Sequence, residues 1–216
     1  MIKKIKNNLP LILMLLLAAV VAVLLLTGRL DVEKIIDAVR DNKLAALAVI
    51  IALYLLKGFS VGIPYAAIAI GTALVFGIGP AIAINFAGTV LCMTASYVVG
   101  RYSKGISFDG VMEKNPKLAP YFRNAGENYF TLCFITHALH LQTEVQGVLY
   151  GLVRVPYGVY ISATMLAMMP QLLCYTVIGN KLDFTEPLVW VFLVPEAALI
   201  ITGLIMAKRR ILTKKD

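Results

Sequence analysis

Leu44–Gly79 reads LAALAVIIALYLLKGFSVGIPYAAIAIGTALVFGIG, 36 residues of mostly apolar sequence. One helical crossing of a bilayer uses about 20 residues, and two crossings with a turn need more than about 40. The stretch is too long for one span and too short for two. Lys57-Gly58 and Gly62-Ile63-Pro64 interrupt it near its middle. A charge, glycines and a proline inside an apolar run predict a re-entrant helical hairpin. Broken backbone survives at membrane depth only where protein or a watery cavity surrounds it.

The rest of the chain sets that hairpin in a membrane protein. Of 216 residues, 60% are apolar and 15% charged, and the mean hydropathy is +0.83. Soluble domains average about 45–50% apolar and about 25% charged. This composition excludes a secreted disulfide scaffold, a coiled coil and an ordinary cytosolic enzyme. The net charge is +8. No stretch combines basic residues with stacking aromatics, so nucleic acid is not expected as a partner. Cys92, Cys133 and Cys174 are odd in number, form no C-x-x-C and lie in apolar runs. They read as buried free thiols.

Leu9–Leu26 is an apolar run behind Lys3, Lys4 and Lys6. It is longer than the usual apolar region of a signal peptide and no clear A-x-A site follows, so it reads as a retained span. In Leu30–Lys43, apolar and charged residues interleave at helical spacing, which predicts an interfacial amphipathic helix. Pro80–Gly100, Pro156–Ile178 and Leu188–Ala207 read as full spans. Tyr129–Val153 starts apolar but carries His137, His140, Gln142, Glu144 and Gln146. It cannot face lipid all round.

Charge orients these segments. The N-terminus, the loop 101–128 and the C-terminal tail carry three, five and five Lys or Arg, against five in segments 27–43 and 180–187 together. The positive-inside rule places both termini and the central loop in the cytoplasm. An even number of crossings must then separate the N-terminus from that loop. Leu9–Leu26 and Pro80–Gly100 supply two, so Leu44–Gly79 must enter and leave from outside. By the same count, Tyr129–Val153 enters and leaves from inside. Each hairpin is followed by an aromatic-glycine pair, a proline and a full span: Phe76-Gly77 and Pro80, then Tyr150-Gly151 and Pro156. The expectation is an inverted repeat of the kind transporters use, with the substrate site at the repeat interface.

Pro64, Gly71, Phe76-Gly77, Gly79, Gly88 and Gly100-Arg101, followed by Gly151, Pro156, Pro170 and Gly179, stand in an order and spacing that resemble the DedA superfamily. This is the VTT-domain or SNARE-associated Golgi protein family, and the resemblance covers residues 44–182. It implies two inward-pointing hairpins and movement of phospholipids or polyprenyl phosphates across bilayers. Many members carry an arginine and prolines in the second hairpin, where residues 136–144 here read THALHLQTE. Many bacterial members carry acidic residues in the first hairpin, where Lys57 is the only charge here.

His137, His140 and Glu144 stand at i, i+3 and i+7, which on one continuous helix share a face. Two imidazoles and a carboxylate suit zinc or a similar ion. They also suit a proton relay, or they satisfy one another and the Gln142 and Gln146 amides. Glu196 follows Pro195 in the last span and reads either as a proton-coupling acid or as a partner for backbone freed by the proline. Lys57 could attract a phosphate or snorkel to the interface. Arg101 and Arg154 lie at the cytoplasmic edge, suited to an anionic head group or to ordinary anchoring. No H-E-x-x-H, phosphate-binding P-loop or G-x-S-x-G motif is present.

The sequence therefore predicts an all-α polytopic membrane protein, an inverted repeat of re-entrant hairpin plus transmembrane helix. Its parts are a span and interfacial helix over 1–43, the repeat domain over 44–182, and a last span with a basic tail over 183–216. The expected function is non-enzymatic translocation of a lipid or lipid-linked anion, passive or ion-coupled, with no cofactor. Lys57, Pro64, Arg101, His137, His140, Glu144 and Arg154 are the substrate-contact candidates, and Glu144 and Glu196 the proton-coupling ones. Membrane lipids are the expected partners, and a homo-oligomer is left open. A small-solute or metal-ion transporter and a membrane scaffold are the alternatives.

Overall fold

A computed structural model describes residues 9–28, 31–60, 62–103, 113, 129–139 and 142–178. It also describes scattered helical positions between 191 and 205. Eight helices are defined in full among them: α1 Leu9–Leu26, α2 Val32–Val39, α3 Lys43–Phe59, α4 Tyr65–Phe76, α5 Ile78–Tyr102, α6 Tyr129–Ala138, α7 Thr143–Leu152 and α8 Tyr157–Ile178. By length and composition α5 and α8 can cross a bilayer. The 18 residues of α1 span about 27 Å at 1.5 Å each.

Local chemistry sets the helix ends. Asp31 caps α2 by accepting from the Lys34 amide at 3.2 Å. Asn42 caps α3 by accepting from the Leu44 and Ala45 amides, which satisfies donors that have no partner within the helix. The first predicted break is present. α3 stops at extended Ser60, and Pro64 takes the N-cap of α4. Proline also forces its predecessor out of helical geometry. Gly77, at φ +77°, is the single residue between α4 and α5, a conformation that glycine adopts without strain. The second break falls between Ala138 and Thr143. α7 then ends in a Schellman-type turn. The Val155 amide donates to the Tyr150 carbonyl at 3.1 Å, and Arg154 takes φ +60°, where glycine is usual.

The packing is organised along α5. On α3, Tyr54 lies over Gly88 and Gly58 over Cys92, so α3 runs with α5. On α7, Gly147 lies over Ser96 and Gly151 over Gly100, so α7 also runs with α5. A β-carbon on Gly100 would fall onto the Val148 carbonyl, and one on Gly151 onto the Tyr97 carbonyl. Only glycine permits this approach. α4 runs against α5, pairing Tyr65 with Thr89 and Ala69 with Asn85. α8 does likewise, pairing Tyr160 with Met93 and Thr176 with Asn85. α6 opposes α7: Gln146 reaches Thr136, and Tyr150 reaches Leu132.

The burial pattern inverts that of a soluble protein. Leu13, Leu15, Leu16, Val20, Leu74, Leu166 and Val191 are exposed, whereas Lys57, Thr72, Asn85, Thr89, Ser96, His137, Glu144, Thr164 and Thr176 are buried. Water would penalise so much exposed apolar surface, and lipid would not. Buried polar groups demand partners in either solvent. The three cysteines are buried and none is in a disulfide, as the sequence predicts.

Candidate functional site at the meeting of the two helix breaks

Lys57 lies in the last turn of α3 and Glu144 in the first turn of α7. Each sign suits its place, because a helix C-terminus favours a cation and an N-terminus an anion. The two breaks bring these ends together. The Lys57 Nζ donates to the Glu144 Oε1 in a buried ion pair, with the residues 6% and 1% exposed. Lys57 therefore does not snorkel. The second carboxylate oxygen, Oε2, has no hydrogen-bond partner among the described residues.

The pair opens onto a polar cavity of about 140 Å³ lined by Lys57, Tyr65, His137, Gln142, Thr143, Glu144, Met168 and Gln171. That volume admits several waters. His137 is buried in its wall, stacked on Tyr150 and edge-on to Tyr160. Its Nδ1 is 2.8 Å from the Cys133 carbonyl. A carbonyl can only accept, so Nδ1 carries a proton in this geometry.

Next to the cavity, toward the Gly77 end of α5, lies a polar network centred on Asn85. The Tyr54 hydroxyl donates to Asn85 Oδ1 at 2.9 Å. Asn85 Nδ2 donates to the Ala69 carbonyl at 3.1 Å and to Thr176 Oγ1 at 2.9 Å. Both amide hydrogens are used, and α3, α4, α5 and α8 are tied at one point. Thr89 donates to the Asn85 carbonyl at 2.6 Å, which leaves Tyr65 as the donor in its 2.6 Å bond with Thr89.

The sequence candidates divide. Lys57, His137 and Glu144 meet at the cavity. The reading of His137 and Glu144 as one helix face is corrected: the chain breaks between Ala138 and Thr143, so they approach from two helices. Pro64 is exposed and shapes the break, and its neighbour Tyr65 lines the cavity. Arg101 and Arg154 are exposed and away from the cavity. Gly151 touches the Arg101 backbone, and Glu144 to Gly151 is about 10 Å of helix. His140 and Glu196 lie outside the described residues. Among the described residues no group of three His, Cys, Asp or Glu is placed to hold a metal ion. The sequence reading passed over Tyr54, Tyr65, Asn85, Gln171 and Thr176. Asn85 was the findable one, because a polar amide inside an apolar span needs partners.

No curated protein and no solved structure matches the chain. The family model of the VTT domain matches residues 63–181, more than half of the chain. With its exposed leucines and two membrane-length helices, this chain belongs to the VTT-domain membrane proteins, the DedA and SNARE-associated Golgi protein family.

Proposed function

We propose that this protein translocates the anionic head group of a lipid, a phospholipid or a polyprenyl phosphate, between leaflets. Lys57 is the receiving cation and Glu144 the coupling acid. The observation that carries this reading is the buried Lys57–Glu144 pair facing a polar cavity where two helix breaks meet. A charge in a membrane domain is costly and marks a transport path more often than a structural need.

The architecture in this reading has four spans, with α3–α4 and α6–α7 as re-entrant hairpins that enter from opposite faces. Helix directions support it. α3 runs with α5 and α4 against it, while α6 runs with α8 and α7 against it. α5 and α8 oppose each other, so one unit turned over has the directions of the other. The distribution of Lys and Arg puts both termini in the cytoplasm. Arg101 and Arg154 then gather anionic head groups at the cytoplasmic rim.

The chemistry follows from charge balance. An anion that takes Lys57 displaces the Glu144 carboxylate and leaves two negative charges close together. A protonated Glu144 removes one of them, so anion entry carries a proton inward. His137, in the same wall, is placed to relay it. The acyl chains stay in the bilayer.

Leaflet exchange in liposomes tests this directly, with head-group-labelled phosphatidylglycerol and a membrane-impermeant quencher. The wild-type protein is expected to expose label beyond the outer-leaflet half. Lys57→Gln removes a charge-assisted hydrogen bond and slows exchange about tenfold or more. Glu144→Gln abolishes dependence on an imposed pH gradient. Exchange no faster than in protein-free liposomes overturns the reading, as does wild-type exchange by Lys57→Gln.

A further inference from the structure

A second cavity, of about 470 Å³, lies between α1 and the far end of α5. Pro10, Leu13, Met14 and Leu17 form one wall, Val98, Val99 and Tyr102 the other, and Phe59 closes the inner end. Its volume falls in the range of about 300–1,000 Å³ typical of small-molecule sites. Apart from the Tyr102 hydroxyl and the Met14 thioether, every side chain in it is hydrocarbon. It lies across α3 from the polar cavity, because Phe59 and Lys57 are two residues apart on that helix.

Two observations identify its occupant. The first is how thinly α1 is attached. Of its described side chains only Met14 and Val21 are buried, while Leu9, Leu13, Leu15, Leu16, Val20 and Val23 are exposed. One i, i+7 stripe holds the helix, and the cavity occupies the space beside it. The second is the chemistry of the mouth. Tyr102 lines the cavity and is 63% exposed, and the adjacent Arg101 is exposed at the same helix end. A phenol and a guanidinium together mark the membrane–water boundary and suit a phosphate there. An apolar slot whose mouth residue, Tyr102, adjoins an exposed cation in the chain suits an acyl chain below an anionic head group.

We infer that the cleft between α1 and α5 holds one acyl chain of an anionic phospholipid, whose phosphate sits at Arg101, and that this bound lipid completes the seat of α1. This is a resident lipid, separate from the head group that Lys57 receives.

Native mass spectrometry of the full chain in dodecylmaltoside tests the site, with phosphatidylglycerol or phosphatidylcholine of identical chains as the probe. The expected result is one retained phosphatidylglycerol per chain, held about fivefold more tightly than phosphatidylcholine through one cation. Val98→Trp fills the slot from a lipid-facing position and reduces retention of both lipids. Leu17→Trp does the same from the α1 side if Val98→Trp fails to fold. Arg101→Gln removes the preference but leaves retention. Lys57→Gln slows leaflet exchange yet keeps the retained lipid, so this site and the translocation reading fail separately. Equal retention of the two lipids by the wild type, or undiminished retention in a folded tryptophan variant, overturns the inference.

Discussion

Replacing Lys57 and Glu144 singly and together weighs the ion pair itself. Lys57→Met leaves the Glu144 carboxylate at 1% exposure without its cation, and Glu144→Leu leaves the Lys57 ammonium at 6% exposure without its anion. Breaking a buried pair by removing one partner costs about 3–5 kcal/mol, whereas replacing both by apolar residues is about neutral to a few kcal/mol stabilising. The double variant should therefore recover what both single variants lose, a coupling of about 6 kcal/mol or more. An exposed pair would couple by only about 0.2–1 kcal/mol. The assay is loss of far-ultraviolet helical signal on titration of dodecylmaltoside micelles with dodecyl sulfate, for the wild type and three variants. Single losses below about 1 kcal/mol, or additive losses in the double variant, would refute the buried pair. The double variant has a second use. It should fold stably and fail to exchange labelled phosphatidylglycerol. If it exchanges lipid at the wild-type rate, the pair is structural and the translocation reading falls while the fold stands.

Four further outcomes follow from the geometry. Gly100→Ala drives a methyl into the Val148 backbone, an overpacking cost of about 1–3 kcal/mol in the same titration, while Gly79→Ala, with open space around it, should cost nothing. Asn85→Leu strands the buried Tyr54 hydroxyl, at about 1–3 kcal/mol for a group left unpaired, and removes the links to the Ala69 carbonyl and Thr176; an unchanged midpoint would show that the network does not hold the helices. Arg154→Gly relieves the positive φ and should raise stability by about 1 kcal/mol, with a lowered midpoint as the contrary result. The bond from the Lys34 amide holds the Asp31 carboxyl below its usual range. Its capping support for α2 is therefore full above the unfolded-state pKa and is lost as pH falls through the lower, folded-state value. Amide protection in α2, taken relative to the intrinsic exchange rate at each pH, should be lower at about pH 3 than at pH 6, and equal protection would remove the cap from the account.

The first break was legible because its residues punctuate: Gly62 and Pro64 cannot continue a helix cheaply, and an apolar run of that length cannot be two spans. The second break carries no glycine or proline in residues 138–143. Its polar residues predicted a hairpin, while the spacing of His137 and Glu144 suggested one unbroken face. Periodicity alone cannot reveal a break made without a breaker. The partner of Lys57 was beyond local reading altogether, since 87 positions separate it from Glu144. Each of these residues was nonetheless visible as a departure from the family pattern. The family match begins at residue 63, so Lys57 lies outside it. The structure joins the two departures into one ion pair. Arg101 and Arg154 were placed by charge pattern at a rim, and they are exposed near one helix end.

On the proposed translocation reading, the fold also indicates what can yield when an anion arrives. α4 is pinned to α5 through Asn85 and Thr89, with the donors and acceptors of that network matched. α7 is pinned to α5 through Gly100 and Gly151, where backbones touch and no side chain can give way. Packed interfaces of this kind shift between discrete arrangements and do not deform gradually. The ends of α3 and α7 that carry the charges also rest on α5, through Gly58 and Gly147, but the atoms that meet in the ion pair are the tips of long, rotatable side chains. Separation of Lys57 from Glu144 therefore asks for rotamer changes at two helix ends, with the α4–α5 and α5–α7 contacts intact. A site that releases its ligand on either side, as in the proposed translocation, would benefit from this arrangement. The scaffold stays rigid, and the cost of opening falls on one ion pair that a competing anion and a proton can together replace.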